Sequence, residues 1–387
     1  MLILSIYVTG CSSDRQSRED LPYIDIGKEY PEKEIDLTHI ADVTYLYLNA
    51  ESDEYLYKGT IDYVSKNKIV VIDRASGSVL FFSKSGNPTS RFNRRGQGPE
   101  EYPSIYSVMY DETTDDVYVT PDFSDFVNVY SSTGEYKRKL TLPQRNINGQ
   151  TVIFDDRSIL VYDDSRLWQN IMKKNVEDHS DFSEQVHDSS FFLISNTDGK
   201  VLDYIKMTTN NIDISSKRSN VSFGLINYGR VRKCPDGLFL YNPETDTVFL
   251  YGKDKSLTPY MRKEPLLSNL DIKMVMDICM DAGSFQFMSV IPYTETGGSS
   301  SVKYYMRDKK TGEIFRQKLI IPDYQGKEFF IDPRQQNYYE TGCHIELDLI
   351  ELKEAYRENR LSGQLKELAA NLNENEDNNI FMLIEFK

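Results

Sequence analysis

"RRGQGPEEYPSIYSVMYDETTDDVYVTPDFSDFVNVYSSTGEY", residues 94–136, decides the fold. It opens as a loop built on Gly96, Gly98, Pro99 and Pro103 and then alternates apolar with polar residues. Alternation of period two marks half-buried strands, and short polar turns ending in glycine join such strands as hairpins. The unit recurs in "KIVVID…SVLFFSKSG", "SILVYDD…FFLISNTDG", "LFLYNPETDTVFLYGKDK" and "FQFMSV…VKYYMRDKKTG". Another strand precedes each pair, and these first strands begin near Gly59, Ile105, Thr151, Tyr228, Lys273 and Gly326. The spacings are 46, 46, 77, 45 and 53 residues. A period of roughly 40–50 residues is that of a four-stranded propeller blade. The long third spacing holds an insertion, about residues 165–189, polar enough to be a surface excursion with some helix.

Such a ring has to close. The sixth unit offers "KEFFIDP" and the terminal "NIFMLIEFK" but no fourth strand, while "DVTYLYLNA", residues 42–50, has nothing of its own to pair with. An unpaired strand edge invites aggregation, so the N-terminal strand is expected to complete the last blade. The expected fold is therefore all-β, a six-bladed β-propeller of four-stranded blades over residues 41–387. A small helical insertion at 345–378 precedes the last strand, with Leu361, Leu365, Leu368 and Leu372 at helical spacing and expected to pack onto the propeller.

The formal charge of -15 argues against a nucleic-acid partner, which requires a basic face. Aromatic residues make up 12% of the chain, with 27 Tyr and 19 Phe against one Trp, and they suit pleated surfaces. The four cysteines form no CxxC and the four histidines are scattered, so no metal site or disulfide scaffold is indicated. Neither GxSxG nor HExxH occurs, and the Gly96–Gly98 loop lacks the GK[ST] and following helix of a phosphate cradle.

The chain begins "MLILSIYVTGCSSDRQSRED". The apolar run Leu2–Val8 is too short to span a bilayer but suits a secretory signal. Val8-Thr9-Gly10-Cys11 resembles the bacterial lipobox, whose cysteine is acylated, so residues 1–11 are expected to be a lipoprotein signal peptide and Cys11 the site of a membrane anchor. The positive n-region that ordinarily precedes such a run is missing, which leads us to expect a start codon further upstream. Residues 12–40 then read as a polar tether and lead-in.

Residues 94–136 resemble an NHL-type blade, with its G-x-G-P-x-x-[FY] loop and "xVYVxD" and "xVxVYxxxG" strands. Together with the lipobox, the lead-in "IDLTHIADVTYLYLNAE" and the helix before a closing strand, the chain is similar to the six-bladed, NHL/TolB-like propeller lipoproteins of Gram-negative bacteria. The resemblance covers nearly the whole chain. It implies a lipid-anchored protein on the periplasmic or cell-surface face of a membrane, expected to be the outer membrane, and implies no enzymatic activity.

In a propeller, the loops joining blades and those joining second to third strands open on one face. Both kinds are long here, so that face is expected to bind a protein, peptide or glycan. The candidate ligand-binding residues are Arg74, Arg94, Arg95, Glu101, Tyr102, Asp122, Asp164, Arg166 and Trp168. Paired guanidinium groups grip anions, and aromatic rings stack on sugars and peptides. Arg94 and Arg95 have a second reading, as part of a blade connector in which Glu100 and Glu101 meet the arginines; Trp168 has one as a pin for its insertion. Asp73, Asp122, Asp163, Asp164 and Glu244 lie at the ends of second strands. A ring of such oxygens would suit calcium, or an acid/base pair in a metal-assisted hydrolase, lactonase or lyase at the axial mouth. The same aspartates also serve to cap hairpin loops, no DxDxDG loop is present, and no cofactor is expected.

Overall fold

The computed structural model describes residues 21–50, 52–146, 149–163, 165, 189–207, 230–242, 245–270, 274–292, 302–332, 340–373 and 377–387. An N-terminal arm carries β1 (Tyr23–Asp25), β2 (Glu32–Asp36), the single turn α1 (Leu37–Ile40) and β3 (Ala41–Tyr47). Blade 1 is β4 (Thr60–Val64), β5 (Lys68–Asp73), β6 (Ser78–Ser83) and β7 (Pro88–Asn93). Blade 2 is β8 (Ser107–Asp111), β9 (Asp116–Thr120), β10 (Ser124–Tyr130) and β11 (Tyr136–Asn146). Blade 3 is β12 (Gln150–Ile153), β13 (Ser158–Tyr162), β14 (Phe191–Ser195) and β15 (Val201–Ile205). Blade 4 is β16 (Val231–Cys234), β17 (Gly237–Leu240), β18 (Thr247–Gly252) and β19 (Leu257–Glu264). Blade 5 is β20 (Met274–Ala282), β21 (Phe285–Pro292), β22 (Lys303–Asp308) and β23 (Ile314–Ile320). Blade 6 holds β24 (Gly342–Leu347), β25 (Ile380–Phe386) and, from the arm, β3.

The ring closes as the sequence requires. β3 lies antiparallel to β25, with Tyr47 opposite Ile380 and Ala41 opposite Phe386. "KEFFIDP" contributes a single bridge, Phe329 to Leu319, among the described residues, and the strand before β25 is "GCHIEL" instead. Blade-to-blade packing follows a simple plan: each of six apolar clusters fills one wedge between neighbouring blades. In the wedge that seals the ring, Leu46 and Phe381 of blade 6 meet Ile61, Ile69, Leu80 and Phe82 of blade 1.

Polar groups stitch the wedges as well. Asp62 accepts from the Val108 N–H at 2.6 Å, joining blades 1 and 2. Gln150 accepts from the N–H groups of Arg230 and Val231 at 2.8 and 2.9 Å and donates to the Val231 carbonyl at 3.0 Å, joining blades 3 and 4. Arg232 pairs with Asp277 at 3.0 Å between blades 4 and 5. At the seal, Asn378 donates to the carbonyls of Leu48 and Tyr55 at 2.8 and 3.1 Å.

Residues 12–40 read as a polar tether and lead-in, and from residue 21 the chain is bound to the ring. β1 pairs in parallel with β19 as a fifth strand of blade 4, and β2 pairs in parallel with β23 as a fifth strand of blade 5. Leu21, Ile24, Ile26, Ile35 and Leu37 are buried while the charged residues between them face outward. The helical insertion forms α2 (Leu349–Arg357) and α3 (Gly363–Asn371). Leu361 and Leu365 are buried, and Leu368 and Leu372 pack against them in the wedge between blades 5 and 6.

Two stability measurements follow. Phe381 is fully buried at the seal, so Phe381→Ala should cost about 3–5 kcal/mol in urea unfolding. Leu202→Ala, on the exposed outer strand of blade 3, should stay within about 0.5 kcal/mol. His344 in β24 is buried against Phe381, its Nδ1 has no partner, and burial pushes its pKa down to about 4. The unfolded chain takes up this proton near pH ~6.5 and the folded one only near pH 4, so stability is full above ~6.5 and falls as pH drops between the two. Wild type should lose roughly 2 kcal/mol more than His344→Leu between pH 7.5 and pH 5.

Candidate functional site

The "RRGQGPEEY" loop proves to be a blade connector whose polar groups are spent on backbone. Arg94 Nε donates to the Gly134 carbonyl at 2.8 Å, and Arg95 donates to the Ala75 carbonyl at 2.9 Å. Glu101 accepts from the Gly98 N–H at 2.8 Å, and no Arg–Glu pair forms within the loop among the described residues. A Cβ on Gly96 would lie 1.9 Å from the Glu101 carboxylate, so only glycine lets this carboxylate fold back into its own loop. Tyr102 is 0% exposed and packs edge-on against Tyr130. Its hydroxyl donates to the Gly77 carbonyl at 2.8 Å and accepts from the Arg94 N–H at 2.9 Å. Burial pushes its pKa up to about 12. Tyr102 thus fills the wedge between blades 1 and 2, with its hydroxyl shared between two backbone groups.

Arg74 lies at the turn after β5, where it pairs with Asp62 at 3.2 Å and donates to the Tyr106 carbonyl at 2.8 Å. Desolvation pushes the Asp62 pKa up, opposed by Arg74 and the Val108 N–H. Asp73 accepts from the N–H groups of Ala75 and Ser76, and Asp163 accepts from Ser165; both cap their loops. Asp122 is half-buried beside Phe123, a residue that sequence reading passed over. Phe123 is 56% exposed with φ +52°, a conformation uncommon for a bulky side chain. Cys11, Asp164, Arg166, Trp168 and Glu244 lie outside the described residues, as do residues 166–188 of the insertion. The structure thus brings Arg94, Arg95, Glu101 and Tyr102 together in one connector; Arg95 bonds the carbonyl of Ala75, next to Arg74, and the Asp122 N–H donates to Ser104 Oγ just after the loop.

One cavity lined by described residues opens on the opposite face, where first and second strands are joined. Its volume is 1010 Å³. Turns of blades 1, 2 and 3 supply Ser65, Lys66, Asp111, Glu112, Asp155 and Asp156. Blade 6 adds Asp42, Thr44, Glu340, Leu383 and Glu385, and Lys84 comes from the β6–β7 turn. Lys233 of blade 4 reaches across the axis to Tyr63 of blade 1, its Nζ 3.2 Å from the hydroxyl and 5.0 Å from the ring centroid. A lysine from the facing inner strand thus crosses the middle of the ring. Nothing in the local sequence of either residue signals this contact, because it joins positions half the ring apart.

Three of the cavity carboxylates, Asp111, Glu112 and Asp155, are held below their ordinary range. Burial raises the Asp111 pKa, but donors from Thr113 and Thr114 outweigh it and leave the group below its ordinary range. Glu112 is likewise lowered despite burial, by Asn67 and Ser65, and accepts from the Asn67 N–H at 3.2 Å. Asp155 is lowered against burial by Ser158 and Arg157, with Lys255 at 3.5 Å. Burial pulls the Lys84 pKa down.

Among the described residues no three His, Cys, Asp or Glu side chains are grouped to hold a metal ion. Cys234, Cys279 and Cys343 are buried, and burial raises each thiol, to about 12 for Cys234, which disfavours the reactive thiolate.

Ring, seal and axial cavity together define a six-bladed β-propeller. The chain belongs to the family described as a domain of unknown function (DUF4934), matched over residues 21–385. No curated protein matches it. Among solved structures it is similar to a protein of Bacteroides fragilis NCTC 9343 described as exported, with 18% identity, a TM-score of 0.61, and 92% of this chain and 98% of that one covered. A member of the DUF4221 family from Bacteroides vulgatus shares 12% identity with a TM-score of 0.49, covering 90% and 97%. BamB of Moraxella catarrhalis shares 9% with a TM-score of 0.37, covering 90% and 98%. At these identities the likeness is one of fold.

Proposed function

We propose that this protein is a lipid-anchored interaction module outside the cytoplasm, which takes a protein, peptide or glycan into the axial cavity rather than catalysing a reaction. The observation that carries this reading is the 1010 Å³ cavity, lined by turns of several blades and crossed by the Lys233–Tyr63 contact. Rigid blades hold such turns in fixed relation, and concave sites of this kind are where ligands bind. The reading moves the binding site to the face opposite the one expected from loop length. Arg94, Arg95 and Glu101 are left with the connector.

The lipobox at Val8–Cys11 supports the anchor, and the exported description of the similar Bacteroides fragilis protein agrees with the location. No helix of the described residues is long and apolar enough to cross a membrane. The outer membrane is the membrane proposed, by resemblance to the propeller lipoproteins.

Two experiments test these proposals. Cys11→Ser should move the protein from the membrane to the soluble fraction on cell fractionation, and unchanged retention would remove the anchor. A photo-crosslinking residue at Thr114, on the cavity rim, should trap a discrete adduct in intact cells, whereas one at Leu202 should not. Equal labelling at the two positions would sink the cavity as the binding site.

A further inference from the structure

The arm fixes where a chain anchored at Cys11 meets the ring. Leu21 is buried, and the Pro22 carbonyl accepts from the Arg262 N–H at 3.0 Å, so from this point the chain is held on the outer edge of blade 4. β1 continues the attachment as the outermost of the five strands of that blade. Nine residues, 12–20, lie between this fixed point and Cys11. A chain gains at most ~3.6 Å per residue, so the steps from Cys11 to Leu21 reach no further than ~36 Å when fully extended.

That reach is short beside the ring. Blade 1 lies opposite blade 4, with four strands against the five that β1 completes. Neighbouring strands are ~4.8 Å apart, so the two sheets alone put ~34 Å between the rim at β1 and the rim at β7. The axial opening, spanned by Lys233 and Tyr63, adds to this. A lipid on Cys11 therefore cannot bring the rim of blade 1 to a bilayer, whereas the rim of blade 4 is within easy reach. The side chain exposed at the fixed point suits such a surface. Tyr23 is 48% exposed, with the Arg262 guanidinium 4.8 Å from its ring centroid. Tyrosine presents an apolar body and a polar tip, and such rings gather at the level of lipid headgroups.

We propose that the outer rim of blade 4, at β1, faces the lipid surface, with blade 1 turned away from it. This rests on the reading of Cys11 as the anchor and adds to it which side of the propeller the membrane meets. The axial cavity draws its lining chiefly from blades 1, 2, 3 and 6, so this placement leaves its mouth in water and open to a partner.

The test uses the full acylated chain reconstituted in vesicles of phosphatidylethanolamine and phosphatidylglycerol, with a benzophenone side chain at position 23 or at position 89. Thr89 is exposed on β7, the outer strand of blade 1, and Asn87 in the preceding turn is a second exposed position there should the first variant fold poorly. Photolysis should attach roughly tenfold more radiolabelled lipid at position 23 than on blade 1, because the tether cannot span to the far rim. Equal labelling, or more on blade 1, overturns the proposal. Inserting a flexible glycine–serine stretch of about forty residues between Ser17 and Arg18 should bring the two positions toward equal labelling. An unchanged ratio overturns the short tether as the cause. Cys11→Ser should leave the vesicles and lose labelling at both positions. Its retention there removes the anchor itself, whereas equal labelling in a protein that Cys11 does hold to the vesicles removes the rim alone.

Discussion

The ring depends on one pairing, β3 against β25. A propeller is an open row of blades until its last sheet is completed, and here completion joins Ala41–Tyr47 to Ile380–Phe386. The seal is apolar in its body and polar at its rim. Leu46 and Phe381 fill the wedge toward blade 1, and the Asn378 side chain binds the Leu48 and Tyr55 carbonyls that would otherwise need water. The wedges between blades 1 and 2 and between blades 3 and 4 repeat this division of labour, with Asp62 and Gln150 set beside aliphatic and aromatic packing. Apolar area supplies most of the stabilisation, while a side chain bonded to a neighbouring blade's backbone fixes how the two blades sit.

Much of the architecture was legible because a blade is a local object. Alternation in "KIVVID" or "DVYVT" and the glycine turns after second hairpin strands appear within a few residues of chain, and β5 and β9 lie where those patterns place them. Closure was legible for a different reason: "DVTYLYLNA" and "NIFMLIEFK" were two strands in want of neighbours. The arm strands β1 and β2 were not. Each is short, rich in charge and paired in parallel with a strand hundreds of residues away, so neither a hairpin turn nor a long apolar alternation announces it.

The site was legible only in part. The GxGPxEY loop stood out because its composition is unusual, yet its composition serves geometry: Glu101 folds back on Gly98 and the arginines reach backbone carbonyls. The residues that line the cavity are ordinary turn residues taken singly. Asp111, Asp155 and Lys233 acquire a shared meaning only when the ring carries blades 2, 3 and 4 around a common axis. Loop length pointed to one face, and side-chain placement at the inner turns pointed to the other.

The arm has a consequence for biosynthesis. Its strands are made before the surfaces they join, β19, β23 and β25. Blades 1, 2 and 3 are built from strands close in sequence, whereas β1, β2 and β3 must wait for partners more than 200 residues further along the chain. Pairings of such long sequence separation are slow to form. The nascent protein therefore carries strands without neighbours until their partners are made, and this interval is when it most needs protection from aggregation.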